Sequence, residues 1–106
     1  MENQRTIQID TLQWEGITIE VSYEAEWLGF RRSSDMAVAH LQVRSIAPER
    51  APLPITETGY RSHFVHPDEI DRLGGPEFYV TVWLNETART QKWQDYASKG
   101  SQLSLF

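Results

Sequence analysis

The sequence predicts an α+β fold, in which a small antiparallel sheet of three or four strands packs against C-terminal helices. Three observations lead to this prediction. Apolar and polar residues alternate through much of the first half of the chain, with the period of two that strands require. The second half contains proline and glycine signals for the beginnings and ends of helices. The length of 106 residues is a common size for one domain.

An N-terminal hairpin begins the predicted sheet. Between residues 17 and 24, polar residues alternate with four apolar ones, Ile17, Ile19, Val21 and Tyr23. A preceding apolar run ends at Trp14, and Glu15-Gly16 between the two runs is typical of a tight turn. A third strand is predicted where Ala39, Leu41 and Val43 alternate with polar residues.

Prolines and glycines define the elements that follow. Three prolines, Pro48, Pro52 and Pro54, indicate an extended connection and exclude both a helix and a central strand there. Pro67 begins a short helix, with acidic residues in its first turn, that Gly74-Gly75 ends. The residues between 55 and 65 show no clear pattern.

The segment Phe78–Leu84 has the composition of a strand and the context of a helix. It follows a Gly-Gly-Pro sequence, and Val80, Leu84 and Ala88 recur at helical spacing. We therefore favour a helix to about Arg89. A fourth strand, followed by a helix capped by Asn85, is the alternative.

Composition and charge exclude several classes of function. The absence of cysteine excludes disulfides and thiol nucleophiles and suits a reducing cytoplasm. The polar first fifteen residues do not resemble a signal peptide, and we expect no membrane partner. A net charge of −5 disfavours tight direct binding to nucleic acid. Residues 31–61 alone have more basic than acidic residues, namely Arg31, Arg32, Arg44, Arg50 and Arg61.

The last nine residues differ in character from the rest. Residues 98–101 are small or polar and offer no packing surface, whereas Leu103, Leu105 and Phe106 are large and apolar. We therefore predict a single domain over residues 1–97 and a flexible tail over residues 98–106 that carries a ligand for another protein. In the alternative, the three apolar residues pack on the domain's own core.

The segment Gln102-Leu103-Ser104-Leu105-Phe106 resembles the peptide by which bacterial replication and repair proteins bind the DNA sliding clamp, the β subunit of DNA polymerase III. That peptide reads Gln-Leu, then Ser or Asp, then Leu-Phe, and all five positions match. The resemblance implies that Gln102 occupies a polar subsite and that Leu105 and Phe106 fill a hydrophobic pocket. Leu103 would bridge these two sites.

Two other groups of residues are weaker candidates for a site. Within residues 57–63, four side chains could serve a small enzyme or ligand-binding domain: Glu57 or His63 as proton carrier, Arg61 as anion clamp, and Tyr60. His63, His66 and Asp68 could ligate zinc or iron, but their spacing matches neither a zinc protease nor a finger, and we expect no bound metal.

Trp27 and Phe30 lie beside Arg31 and Arg32, a pairing of aromatic and basic residues that could bind single-stranded nucleic acid. Nearby acidic residues argue against this interpretation, and we expect both aromatic side chains to anchor the core.

We expect a non-enzymatic accessory or adaptor protein, encoded by a bacterium or by a plasmid or phage that lives in one, and recruited to the sliding clamp through residues 102–106. No cofactor is expected, and the oligomeric state is not predicted. The alternatives are the enzyme or ligand-binding domain described above, and an acidic decoy of a DNA-binding protein suggested by the six acidic residues among residues 1–30.

Overall fold

The computed structural model describes residues 6–103, with side chains as far as Lys99. Four strands precede three helices: β1 Gln8–Trp14, β2 Ile17–Glu24, β3 Ala39–Ala47, β4 Tyr60–Val65, α1 Pro67–Arg72, α2 Pro76–Ala88 and α3 Gln91–Leu103. The predicted α+β fold, with its N-terminal hairpin, antiparallel sheet and C-terminal helices, is confirmed.

The four strands form one sheet in the order β1-β2-β3-β4, and each neighbouring pair is antiparallel. Glu15 and Gly16 join β1 to β2 with φ angles of 49° and 79°. Two consecutive positive φ angles are what a two-residue hairpin turn requires, because they match the twist of the flanking strands. In the resulting register Leu12 lies opposite Ile19, and Val21 lies opposite Val43.

One face of the sheet is covered by helices and forms the core. Its fully buried side chains come from the middle strands and from α1 and α2: Ile19, Val21, Leu41, Val43, Ile70, Val80 and Leu84. Val80 and Leu84 lie one helical turn apart and both face the sheet, so the helix favoured for residues 78–84 is confirmed. Within the described residues, no helix is both long and apolar enough to cross a membrane.

The fourth strand comes from residues 60–65, a segment without a clear pattern of apolar and polar residues. Arg61 and His63 point toward the helices, whereas Tyr60 and Phe64 lie on the other face and are 44% and 49% exposed. At these four positions the usual alternation is reversed in polarity, because the inward residues are polar and the outward residues are aromatic.

A packed loop over residues 48–59 joins β3 to β4. Leu53 and Thr56 exchange two backbone hydrogen bonds, of 2.8 and 3.0 Å, and Leu53 and Ile55 are buried. Gly59 closes the loop with a φ of 79°, and a Cβ there would lie 2.6 Å from the Arg50 carbonyl carbon. No helix forms in this loop, as the prolines predict, and the loop becomes part of the body of the protein.

Helix α3 includes part of the segment that was predicted to be a flexible tail. The helix continues to Leu103, so the predicted boundary at Ser98 falls inside it. A lack of packing surface does not prevent a helix, since its backbone hydrogen bonds are internal. The flexibility of the segment stays a prediction. Of the clamp-like peptide, Ser104, Leu105 and Phe106 lie outside the described residues.

Candidate functional site

The first turn of α3 is fixed to the body. The Trp93 backbone N–H donates to Thr90 Oγ1 at 3.3 Å, and Gln94 Nε2 donates to the Ala88 carbonyl at 2.7 Å. The half-buried Trp93 ring lies 6.1 Å from that of Trp14, whose Nε1–H donates to Asn85 Oδ1 at 2.9 Å. Thr90 thus acts as the N-cap of α3, and the two tryptophans connect the helix to β1 and α2.

Beyond this turn α3 leaves the body. Each residue from Gln94 to Lys99 is exposed. We call residues 94–103 the arm. A rise of 1.5 Å per residue places position 103 about 15 Å along the axis from position 93. The arm therefore displaces the beginning of the clamp-like peptide from the folded body.

A groove of about 620 Å³ lies where α3 meets the loop between β3 and β4. Pro52, Pro54 and Ile55 form one wall, and Trp93 and Tyr96 form the other. The two aromatic rings lie 5.1 Å apart, and Tyr96 is 48% exposed. We call this the α3 groove. Its walls are mainly apolar, as in most ligand and peptide sites.

The four candidate catalytic side chains do not converge. Glu57 lies at the mouth of the α3 groove, where its carboxylate is 3.6 Å from Lys92 Nζ and both side chains are more than 85% exposed. The Tyr60 hydroxyl donates to Gln42 Oε1 at 2.9 Å on the opposite side of the sheet from His63. Tyr60 therefore lies on the other face of the sheet from Arg61 and His63, and Glu57 contacts Lys92 beside the α3 groove.

Arg61 and His63 do lie together, beneath α2. Arg61 Nη1 donates to the Ile55 carbonyl at 2.9 Å, and its guanidinium lies 5.3 Å from the centroid of the Trp83 ring. His63 Nε2 lies 3.1 Å from the Tyr79 hydroxyl oxygen, and its ring is 4.5 Å from that of Trp83.

Partial burial, followed by the positive charge of Arg61, lowers the pKa of His63. Burial raises the pKa of Tyr79, with a smaller contribution from Glu69. Both changes favour the neutral forms of the two side chains, which packing and hydrogen bonding hold in place between β4 and α2.

The residues considered for a metal have other contacts. His66 caps α1, since its Nδ1 accepts from the Asp68 backbone N–H at 3.0 Å and its Nε2 lies 2.8 Å from the Ser34 carbonyl oxygen. His63 instead contacts Tyr79, and the Asp68 side chain is 78% exposed. Across the described part of the chain, no group of three or more histidine, aspartate and glutamate residues is placed to hold a metal ion.

Trp27 and Phe30 do not anchor the core, so that prediction is wrong. They are 39% and 42% exposed, and Trp27 lies 4.9 Å from Phe64 on the face of the sheet opposite the helices. His40 and Phe64, which are paired across β3 and β4, stack at 4.5 Å with an interplanar angle of 10°. This contact depends on the register of β3 and β4, which no local pattern in the sequence reveals.

These observations define a small α+β domain with an exposed helical arm. The family model of the KlcB third domain matches residues 7–93, which is most of the chain. The chain belongs to this family. The match ends at the base of α3, so the arm and the clamp-like peptide follow the matched domain. Comparison with curated proteins and with solved structures gave no match.

Proposed function

We propose that this protein is an accessory or adaptor that binds the bacterial DNA sliding clamp through Gln102-Leu103-Ser104-Leu105-Phe106. One observation carries the proposal. Trp93 is half-buried in the helix that leads into the peptide, and every residue from 94 to 99 is exposed. A peptide intended for another protein needs such a displacement from its own domain, since a binding partner must surround it.

The energetics favour a weak, reversible interaction. Burial of three side chains such as Leu103, Leu105 and Phe106 contributes about 1.5–3 kcal/mol each. Ordering five residues costs about 1–2 kcal/mol each. Because these terms nearly cancel, the net affinity depends on backbone hydrogen bonds and on the contacts of Gln102, and a Kd of about 1–100 μM is expected. Such an affinity suits a clamp that serves many proteins in turn.

Membership of the KlcB third-domain family supports the proposed origin. KlcB is associated with plasmids, and a plasmid that lives in a bacterium encounters the bacterial clamp when it is copied. We place the protein in the cytoplasm, where that encounter occurs and where a chain without cysteine loses nothing to reducing conditions.

We also propose that the domain makes no tight contact with nucleic acid. Two arginines of the basic middle segment already have acidic partners: Arg32 lies 2.6 Å from Asp71, and Arg44 lies 2.7 Å from Glu20. These pairs, together with the net charge of −5, leave little positive charge to exchange with the counterions of DNA.

A pull-down tests the proposal directly. The full chain and a variant ending at Ser101 would each be immobilised and incubated with purified bacterial sliding clamp. We expect the full chain alone to retain the clamp. Equal retention by both proteins would contradict binding through residues 102–106. Equal circular dichroism spectra in the sheet region would show that the shortened variant is folded.

A further inference from the structure

One wall of the α3 groove belongs to the same helix as the beginning of the clamp-like peptide. Tyr96, in the wall of the groove, precedes Gln102 by six residues, which corresponds to about 9 Å along the helix axis. A stable protein interface covers about 800 Å² on each partner, which is roughly 30 Å across. A protein that binds residues 102–106 therefore extends far enough to reach the groove.

The groove also lies on a suitable side of the arm. Seven residues make almost two complete turns of an α-helix, so positions 96 and 103 lie on the same side of α3. A partner that approaches position 103 from that side approaches position 96 as well.

We propose that the α3 groove is a second contact surface for the sliding clamp, an inference that rests on the proposed function. The groove offers apolar and aromatic side chains of the kinds enriched at the centres of interfaces, here Trp93 and Tyr96. Its charged rim is internally paired, because Glu57 and Lys92 lie 3.6 Å apart. A partner covering the apolar walls would therefore leave no single uncompensated charge at this rim.

A second contact at the α3 groove increases the affinity for the clamp beyond that of the peptide, which binds weakly alone. Ordering the peptide offsets most of what its burial contributes. The groove is already ordered, because Trp93 packs against Trp14 and the opposite wall belongs to the packed loop. Contacts made there add to the affinity with little further cost in conformational entropy.

Substitution of Tyr96 tests the inference. Tyr96→Ala removes an aromatic wall while leaving Trp93 in place, and because Tyr96 is half exposed its loss should leave the body folded. In a calorimetric titration of the full chain into purified sliding clamp, we expect binding about tenfold weaker than that of the parent, as for an interface aromatic truncated to alanine. Phe78→Ala is the matched control, since Phe78 is 65% exposed on α2 and should leave the affinity unchanged.

Hydroxyl-radical footprinting provides a second measurement that does not depend on a variant. We expect the clamp to protect Tyr96 from oxidation and to leave Phe78 reactive. Unchanged affinity of Tyr96→Ala, or an unprotected Tyr96 in the bound parent, would overturn the inference. If Leu105→Ala/Phe106→Ala still abolishes binding in either case, the proposed function remains. If that double variant binds like the parent, the proposed function and this inference both fail.

Discussion

His63 occupies a site that favours its neutral form. It lies between Trp83 and the Tyr79 hydroxyl, and partial burial with the nearby charge of Arg61 lowers its pKa. In the unfolded chain its pKa returns to about 6.5, so the unfolded state takes up a proton first as the pH falls. The stability that His63 contributes is therefore complete above about pH 6.5 and is lost as the pH falls through its folded pKa.

The lowered pKa of His63 predicts that stability falls at acidic pH, and one substitution should reduce that fall. His63→Gln keeps a polar side chain beside Tyr79 and removes the titration. We expect the free energy of unfolding, measured with urea at pH 8 and pH 5, to fall less in His63→Gln than in the parent. Carboxylates titrate in both proteins and cancel in the comparison. An equal fall in the two proteins would show that the His63 site does not resist protonation.

Substitution of Gly59 tests how tightly the loop between β3 and β4 is packed. A Cβ at this position would meet the Arg50 backbone at 2.6 to 2.8 Å, and the φ of 79° is unfavourable for any other residue. Gly16 has the same φ, but a Cβ added there would meet no atom within 4 Å. Gly16→Ala therefore isolates the conformational cost, whereas Gly59→Ala adds a collision between backbone segments.

We expect Gly16→Ala to reduce the free energy of unfolding by about 1–2 kcal/mol. Gly59→Ala should cost at least about 1 kcal/mol more, because the backbones of Arg50 and residue 59 within the loop must move apart. Urea denaturation of the two variants measures the difference. Equal losses would mean that the loop yields freely and that the wall of the α3 groove is not preformed.

At the scale of elements, the arm and α2 are both helical but differ in whether they contribute side chains to the core. Helix α2 carries Val80 and Leu84 into the core, while residues 94–99 of α3 are exposed. Proline within a helix costs about 3 kcal/mol or more because it removes a hydrogen bond and clashes with the preceding turn. The consequence for the body should depend on which helix is broken.

Lys99→Pro should leave the thermal midpoint of the body unchanged while reducing the helical circular dichroism signal. Val82→Pro, the matched change in the middle of α2, should lower the midpoint strongly or prevent folding. Thermal denaturation followed through the near-ultraviolet signal of the tryptophans measures both. A midpoint lowered by Lys99→Pro as much as by Val82→Pro would show that the arm belongs to the cooperative core.

The strands and helices also show which signals in the sequence are sufficient to predict an element. The hairpin was predictable because the alternation around Val21 and the Gly16 turn agree with one another. The assignment of α2 depended on its Gly-Gly-Pro start and on Val80 and Leu84, which outweighed the strand-like composition. β4 was not predictable, because its inward positions hold Arg61 and His63 and their stabilising contacts with Trp83 come from a distant helix.

The candidate site was predictable only in part. Residues 102–106 were found through a resemblance of sequence, which requires no knowledge of the fold. The α3 groove could not be found in this way, because Pro52 and Trp93 are about forty residues apart in the chain and meet only when the loop packs beside α3. The same reason explains the misplaced Trp27, whose contact with Phe64 depends on the arrangement of β3 and β4.

At the scale of the whole molecule, the proposed function assigns different tasks to two parts. The body corresponds to the KlcB third domain, matched over residues 7–93, and holds the core and every named part of the groove walls except Tyr96. The arm leads from that body to the beginning of the clamp-like peptide. Substitutions in the peptide should therefore change binding without changing stability, and this separation is the central claim about the molecule.

A titration of purified sliding clamp tests that claim most directly. Leu105→Ala/Phe106→Ala removes most of the apolar area of the peptide and should weaken binding by about 2–5 kcal/mol, to an undetectable level at micromolar concentrations. Gln102→Ala should cost about 1–2 kcal/mol through its polar contacts, and Ser104→Asp should bind like the parent. All of these variants should keep the thermal midpoint of the parent. Binding of the double variant equal to that of the parent would contradict recruitment through the peptide, and a lowered midpoint would place the peptide in the core.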